Sequence, residues 1–139
     1  MTEIRRATIP VEVRYAETDG MGIVHHANYF VWFELSRTRL CADAGQSYAD
    51  IESTGFRLTV TGASVRYRRP ARYGDTVDVT AWIQGLGSRG MQFAYEVHRD
   101  AALLATGRTD HVWINAQNRP CRVPDELRPT FTRAAGLAD

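Results

Sequence analysis

Lysine is missing from this chain: all seventeen basic residues are arginine. Codon bias is the bland cause, but the physical consequence holds either way. Every cation is a planar fork suited to phosphates and carboxylates. An excess of one charge sign is also lacking, and a net charge of +1 argues against general nucleic-acid binding. The longest apolar run, around Tyr29 to Phe33, falls far short of a membrane span. The opening Met1-Thr2-Glu3-Ile4-Arg5-Arg6 lacks the apolar segment of a secretory signal, so a cytoplasmic protein is expected. Cysteine is scarce. The spacing of Cys41 and Cys121 does not ask for a disulfide, and two free thiols are expected. Repeats, linkers and low-complexity segments are absent as well. The 139 residues, 44% apolar and 24% charged, are expected to form one globular domain over 1–139.

What is present reads as alternating and helical patterns. Ile9, Val11, Val13 and Tyr15 alternate with polar neighbours, the period of a half-buried strand. A helical stretch follows from Asn28, a good N-cap, to a stop at Gly45. Its first two turns carry Tyr29, Phe30, Val31, Trp32, Phe33 and Leu35 in every direction, interrupted only by Glu34. A helix apolar all round is expected to be buried all round, so a sheet must wrap it. Its second half, Ser36 to Leu40, reads as returning to solvent. A shorter helix is expected at Tyr48 to Ser53, closed by Gly55.

From Gly55 to about residue 116 the pattern is a strand meander. Phe56, Leu58 and Val60 point inward; the phase then flips to Ala63, Val65 and Tyr67, with a bulge expected at Gly62. Turns at Pro70 to Asp75, Gly85 to Gly90 and Asp100-Ala101 separate Val77–Ile83, Met91–Val97 and Leu103–Asn115. Three successive hairpins imply an antiparallel sheet. His98 and His111 read as cross-strand surface residues. The tail from Pro124 can start a short helix, which Pro129 would kink or end. The expected class is α+β, a five-stranded antiparallel sheet curled around one apolar helix.

The chemistry concentrates between Tyr15 and Asn28. This loop holds two acids, two glycines, two adjacent histidines and the start of the apolar helix. Backbone N–H groups at a helix start suit a developing oxyanion. A carboxylate nearby, Asp19, can act as nucleophile or as general base for water, although an acid in that position also serves as a cap or dipole partner. His25 reads as a surface loop residue. Without a His-x-x-x-His pair or a cysteine cluster no metal site is expected. Glu34 reads equally as a pocket or interface residue and as a partnered structural acid. Gly85-x-Gly87-x-x-Gly90 sits between antiparallel strands and opens no helix, so it is not a dinucleotide fingerprint.

The run Asp19-Gly20-Met21-Gly22-Ile23-Val24-His25-His26-Ala27-Asn28-Tyr29 resembles the signature of the 4-hydroxybenzoyl-CoA thioesterase family, hotdog-fold proteins that include Tol-Pal-associated acyl-CoA thioesterases. Phe33 to Thr38, Tyr67 to Asp75 and Arg119 to Pro124 extend the likeness over roughly residues 10 to 128. The resemblance implies a hotdog fold and hydrolysis of an acyl-CoA thioester without metal or redox cofactor. Asp19 matches the catalytic acid, Gly22 the tight turn beside the substrate, and the His26 backbone N–H the donor that polarises the carbonyl. The His26 side chain matches a histidine of the Tol-Pal-type branch. Tyr15 resembles an aromatic at the pocket mouth, and Asn28 and Tyr29 close the motif on the substrate side. Among Arg66, Arg68, Arg69, Arg72 and Arg89, a cluster that alone reads as a solvated edge, Arg69 and Arg89 are the expected CoA phosphate ligands. Family active sites lie between subunits, so a homodimer or homotetramer is implied. Two rival readings are a thioesterase for carrier-protein-bound chains and a non-catalytic acyl-thioester-binding module.

Overall fold

The computed structural model describes residues 3–137. Strand β1 (Arg6–Glu12) leads through a 3₁₀ turn (Tyr15–Glu17) to helix α1 (Asn28–Asp43) and helix α2 (Tyr48–Ser53). Strands β2 (Arg57–Tyr67), β3 (Thr76–Leu86), β4 (Gly90–Arg99) and β5 (Ala102–Ile114) follow, then a two-residue β6 (Pro120–Cys121) and α3 (Arg128–Ala134). The sheet is antiparallel in the order β1-β3-β4-β5-β2, with β6 paired to β5. The expected helix-in-a-sheet arrangement is present, with a short sixth strand added from the Pro120 segment.

Two expectations about the sheet change. From β2 to β5 the chain makes two hairpins rather than the expected three, because β2 pairs with β5 and not with β3. Residues 68–75 carry the chain across the ends of β5 and β4, three strand spacings or about 14 Å. They are held there by bonds to the loop before α1: the Val24 N–H donates to the Ala71 carbonyl at 2.9 Å and the Tyr73 N–H to the Gly22 carbonyl at 3.0 Å. As an edge strand β2 leaves Val60, Ala63 and Tyr67 exposed. Its register shift falls between Val60 and Gly62, at the expected bulge. Strand β1 ends at Glu12, earlier than the alternation suggested, and Tyr15 is 64% exposed.

Helix α1 is not buried all round. Tyr29, Trp32, Phe33, Ser36, Arg37, Leu40 and Cys41 face the sheet, while Val31 and Leu35 are 51% and 49% exposed. The buried track follows the 3.6 period through two polar residues that the sequence pattern assigned to solvent. Ser36 donates to the Phe33 carbonyl, and the Arg37 guanidinium donates to the Tyr48 and Tyr95 hydroxyls at 2.6 and 3.1 Å. Asn28 is the first helical residue, with Ala27 at the cap position. Helix α2 forms where expected because Ser47 and Asp50 make a reciprocal capping box. In α3, Pro129 lies in the first turn, where its missing N–H costs nothing, so it starts the helix instead of ending it. Cys41 and Cys121 are both free thiols, and burial pushes the Cys41 thiol up to about 12. Among the described residues, no helix is long and apolar enough to cross a membrane.

His111 is buried, contrary to the surface reading. Its Nε2 pairs with the Thr109 hydroxyl at 2.8 Å, whereas Nδ1 is buried without a partner among the described residues. Burial, reinforced by the Arg37 charge, depresses the imidazole to about 4, with Asp110 opposing weakly. An unfolded chain takes up this proton near pH 6.5, whereas the folded protein refuses it until about pH 4. The His111 contribution to stability should therefore be constant above pH 6.5 and fall as the pH drops from 6.5 to 4, by a total of about 3 kcal/mol. Urea unfolding at pH 7 and pH 4.5 should show this loss. His111→Gln should flatten the slope in that window; an unchanged slope would place its origin elsewhere.

Candidate active site

The loop before α1 is a closed β-arch. An isolated antiparallel bridge joins Thr18 to Val24, and the Asp19 N–H donates to the Ile23 carbonyl at 2.9 Å. Gly20 and Gly22 carry φ of 89° and 82°, values that favour glycine, so the arch can close with three residues between Asp19 and Ile23. Asp19 sits exposed where the arch closes. The Asp19 Oδ1 accepts the Met21 N–H at 2.9 Å, which leaves Oδ2 for a ligand. A second bridge, Ile23 to Arg72, ties the arch to the connector between β2 and β3.

Beyond the arch the backbone tightens into α1 through i→i+3 bonds. The N–H groups of Asn28, Tyr29 and Phe30 donate to the carbonyls of His25, His26 and Ala27 at 3.0, 3.3 and 3.3 Å. The His25 N–H donates to the Glu17 carbonyl at 2.8 Å, and the Ala27 N–H to the His25 Nδ1 at 3.3 Å. From His25 to Phe30, only the His26 N–H has no acceptor among the described residues. The expected plural set of helix-start donors thus narrows to one.

Asp19 and His26 line the same open cleft of about 370 Å³, with Ile23, Val24, His25, Tyr29, Tyr67, Arg68, Arg69 and Pro70. Tyr29 is buried, packed on Trp32 and edge-on to Tyr67 at 5.1 Å. Burial raises its hydroxyl above the ordinary range, opposed by a backbone bond at Ala71. The Tyr67 hydroxyl donates to the His26 carbonyl at 3.0 Å, and partial desolvation of this largely exposed side chain raises it too. The His25 and His26 rings stack at 4.2 Å. Among the described residues there is no cluster of three or more His, Cys, Asp or Glu able to hold a metal.

The structure therefore brings Asp19, His26, Tyr29 and Arg69 together. Gly22 shapes the arch without lining the cleft. Asn28 is a pin: its Nδ2 donates to the Glu17 carbonyl at 2.8 Å and to the His25 carbonyl at 3.3 Å. Tyr15 packs edge-on to Tyr73 at 5.7 Å, outside the cleft. Arg89 lies in the β3–β4 turn, one strand length of about 33 Å from the connector that borders the cleft. Tyr67 and Arg68 were not anticipated as lining residues, because the pattern placed Tyr67 inside the sheet. The signal was available in the Tyr67-Arg68-Arg69-Pro70 run, where Pro70 ends the strand and hands its last side chains to the loop.

Comparison with known proteins agrees with the geometry. The sequence profile of the Thioesterase-like superfamily matches residues 13–131. The Bacillus subtilis (strain 168) protein named "Putative acyl-CoA thioesterase YneP" is 38% identical over 109 residues, covering 78% of this chain and 79% of that protein. The crystal structure of the hypothetical protein TT1821 from Thermus thermophilus superposes with a TM-score of 0.89 at 35% identity, over 92% of this chain and 98% of that one. A DHNA-CoA thioesterase from Staphylococcus aureus superposes at 0.85 with 32% identity, over 94% and 89% of the two chains. With its antiparallel sheet wrapped around α1 and its Asp19 arch at the helix start, this chain belongs to the Thioesterase-like superfamily and has the hotdog fold.

Proposed function

We propose that this protein hydrolyses acyl-CoA thioesters to the free acid and CoA, using Asp19 as nucleophile or general base and the His26 N–H as oxyanion donor. The carrying observation is that Asp19, a carboxylate with a free oxygen, and His26, whose N–H has no acceptor among the described residues, line the same cleft. Thioester hydrolysis needs an attacking oxygen and a donor for the negative charge that builds on the carbonyl oxygen. Asp19 either attacks the carbonyl carbon, expelling the CoA thiolate and leaving an anhydride for water to open, or removes the proton from an attacking water. The His26 imidazole orients that water or the acid, as in the Tol-Pal-type branch of the 4-hydroxybenzoyl-CoA thioesterase family. Neither route calls for a metal or redox cofactor.

Arg68 and Arg69 line the cleft, and neither they nor Arg66 and Arg72 have an acidic partner within 4.0 Å among the described residues. These forks suit the phosphates of CoA. Arg89 could reach the cleft only from a second copy. The eleven-residue β2 is a free sheet edge open to edge-to-edge pairing in a homodimer or homotetramer. Arg69→Ala should raise KM for acyl-CoA about tenfold and leave kcat within about twofold, the loss of one charge-assisted phosphate contact. The same change should not affect a short N-acetylcysteamine thioester, which has no phosphates. An equal loss on both would remove Arg69 from CoA binding.

The unpaired arginines also favour a second reading, a carrier-protein thioester, whose acidic helix they would face. Acyl-CoA and acyl-carrier substrates competed at low concentration separate the two. A panel of acyl-CoAs tests the main proposal: thiol release in the wild type, lost in Asp19→Ala, is the expected result. Tight binding of a CoA ester that stays intact for hours would indicate a binding module instead.

A further inference from the structure

We propose that Glu17 is a positioning residue for this reaction, one that sets the spacing between the Asp19 carboxylate and the His26 N–H; the inference rests on the hydrolase reading above. Glu17 is only 6% exposed, although it lies in the loop just two residues before the exposed Asp19. Its Oε2 accepts the indole N–H of Trp32 at 3.0 Å, and Oε1 accepts the Arg14 N–H at 2.9 Å, with the Arg14 Nε 3.6 Å away. Its own carbonyl accepts the His25 N–H and the Asn28 Nδ2, each at 2.8 Å. One residue thus anchors both halves of the site. Two residues on is Asp19, and one residue beyond the bonded His25 is the free N–H of His26.

Burying a carboxylate is costly unless its oxygens are bonded, and an apolar side chain would hold the loop more cheaply. What only a carboxylate offers here is two acceptor oxygens on one rigid plane, facing two N–H donors at once. Trp32 is fully buried on α1, so it gives a fixed reference for the loop. Glutamine would keep one acceptor but turn an NH₂ group towards the other donor. The arch would then shift against the helix start, and misplacement on the scale of 1 Å costs about a hundredfold in rate.

The experiment compares wild type, Glu17→Gln, Trp32→Phe and Asp19→Asn for kcat and KM on one acyl-CoA, with the Trp32 indole and His26 amide resonances followed by NMR. The expected result for Glu17→Gln is a kcat lower by about 30-fold with KM within about threefold. Both resonances should move, whereas Asp19→Asn should leave the indole resonance in place. If Glu17→Gln does not fold, Trp32→Phe reads the same link by removing the donor to Oε2, with urea unfolding measuring the separate cost of the smaller ring. A folded Glu17→Gln, or in its place Trp32→Phe, with wild-type kcat beside an inactive Asp19→Asn would overturn the positioning role and leave the hydrolase reading intact. An inert wild type would remove both together.

Discussion

Replacing Asp19 with asparagine is expected to lower kcat by about a thousandfold or more, with KM changed only a few-fold, when CoA thiol release is followed under saturating ester. A positioned general base contributes roughly 10²–10⁴ in rate, and a lost nucleophile costs at least as much. Asparagine keeps the side-chain oxygen that accepts the Met21 N–H, so the arch should keep its shape and the protein its stability. The loss would then be chemical, not structural. Glu17 cannot stand in, because both of its oxygens are committed to Arg14 and Trp32. Activity within a few-fold of wild type would move the reacting group away from Asp19, leaving the His25 and His26 imidazoles as the candidate bases that line the cleft.

The largest expected loss of stability comes from a site with no chemistry. Gly107 lies opposite Tyr95 in the sheet, and a Cβ there would overlap the ring of Phe33 on α1. Phe33 is fully buried and stacks flat on Tyr95 at 4.3 Å, so it has nowhere to retreat. Glycine at this point lets the helix approach the sheet directly. Gly107→Val should cost about 3 kcal/mol or more in urea unfolding, the upper range for overpacking a well-filled core. Adding Phe33→Leu should return part of that loss, so the double variant should be more stable than the sum of the single effects predicts. Additive losses would show that the two residues do not press on each other. Because α1 carries Tyr29 at its start and His26 lies two residues before it, the surviving Gly107 variants should be less active than their stability alone would dictate.

The two-glycine loop, helix α2 and the bulge in β2 were legible because each has a local cause. Gly20 and Gly22 supply the left-handed turns, Ser47 and Asp50 cap α2, and Gly62 sits at the bulge. The buried face of α1 was not legible. Six apolar residues crowded around two turns carry no period, so nothing distinguished buried Trp32 and Phe33 from exposed Val31 and Leu35. Arg37 completes the true buried track only because Tyr48 and Tyr95, distant in sequence, give it hydroxyl acceptors. The pairing of β2 with β5 was hidden for the same reason: the connector at 68–75 resembles a hairpin turn until the arch that holds it is in place. In the site, Asp19 and Arg69 could be named from the sequence. The resemblance also named the His26 N–H, but that it alone of the helix-start donors lacks an acceptor among the described residues, while Asn28 serves as a pin, depends on how Glu17 and His25 use up the neighbouring donors.

The central claim is tested most directly by incubating the purified wild-type protein with a panel of acyl-CoAs beside Asp19→Ala, and measuring both thiol release and free acid. The account predicts turnover of at least one ester in equimolar thiol and acid by the wild type, and its loss in the variant. Equal turnover by both proteins would contradict the role given to Asp19, and esters left intact by the wild type would contradict hydrolysis itself.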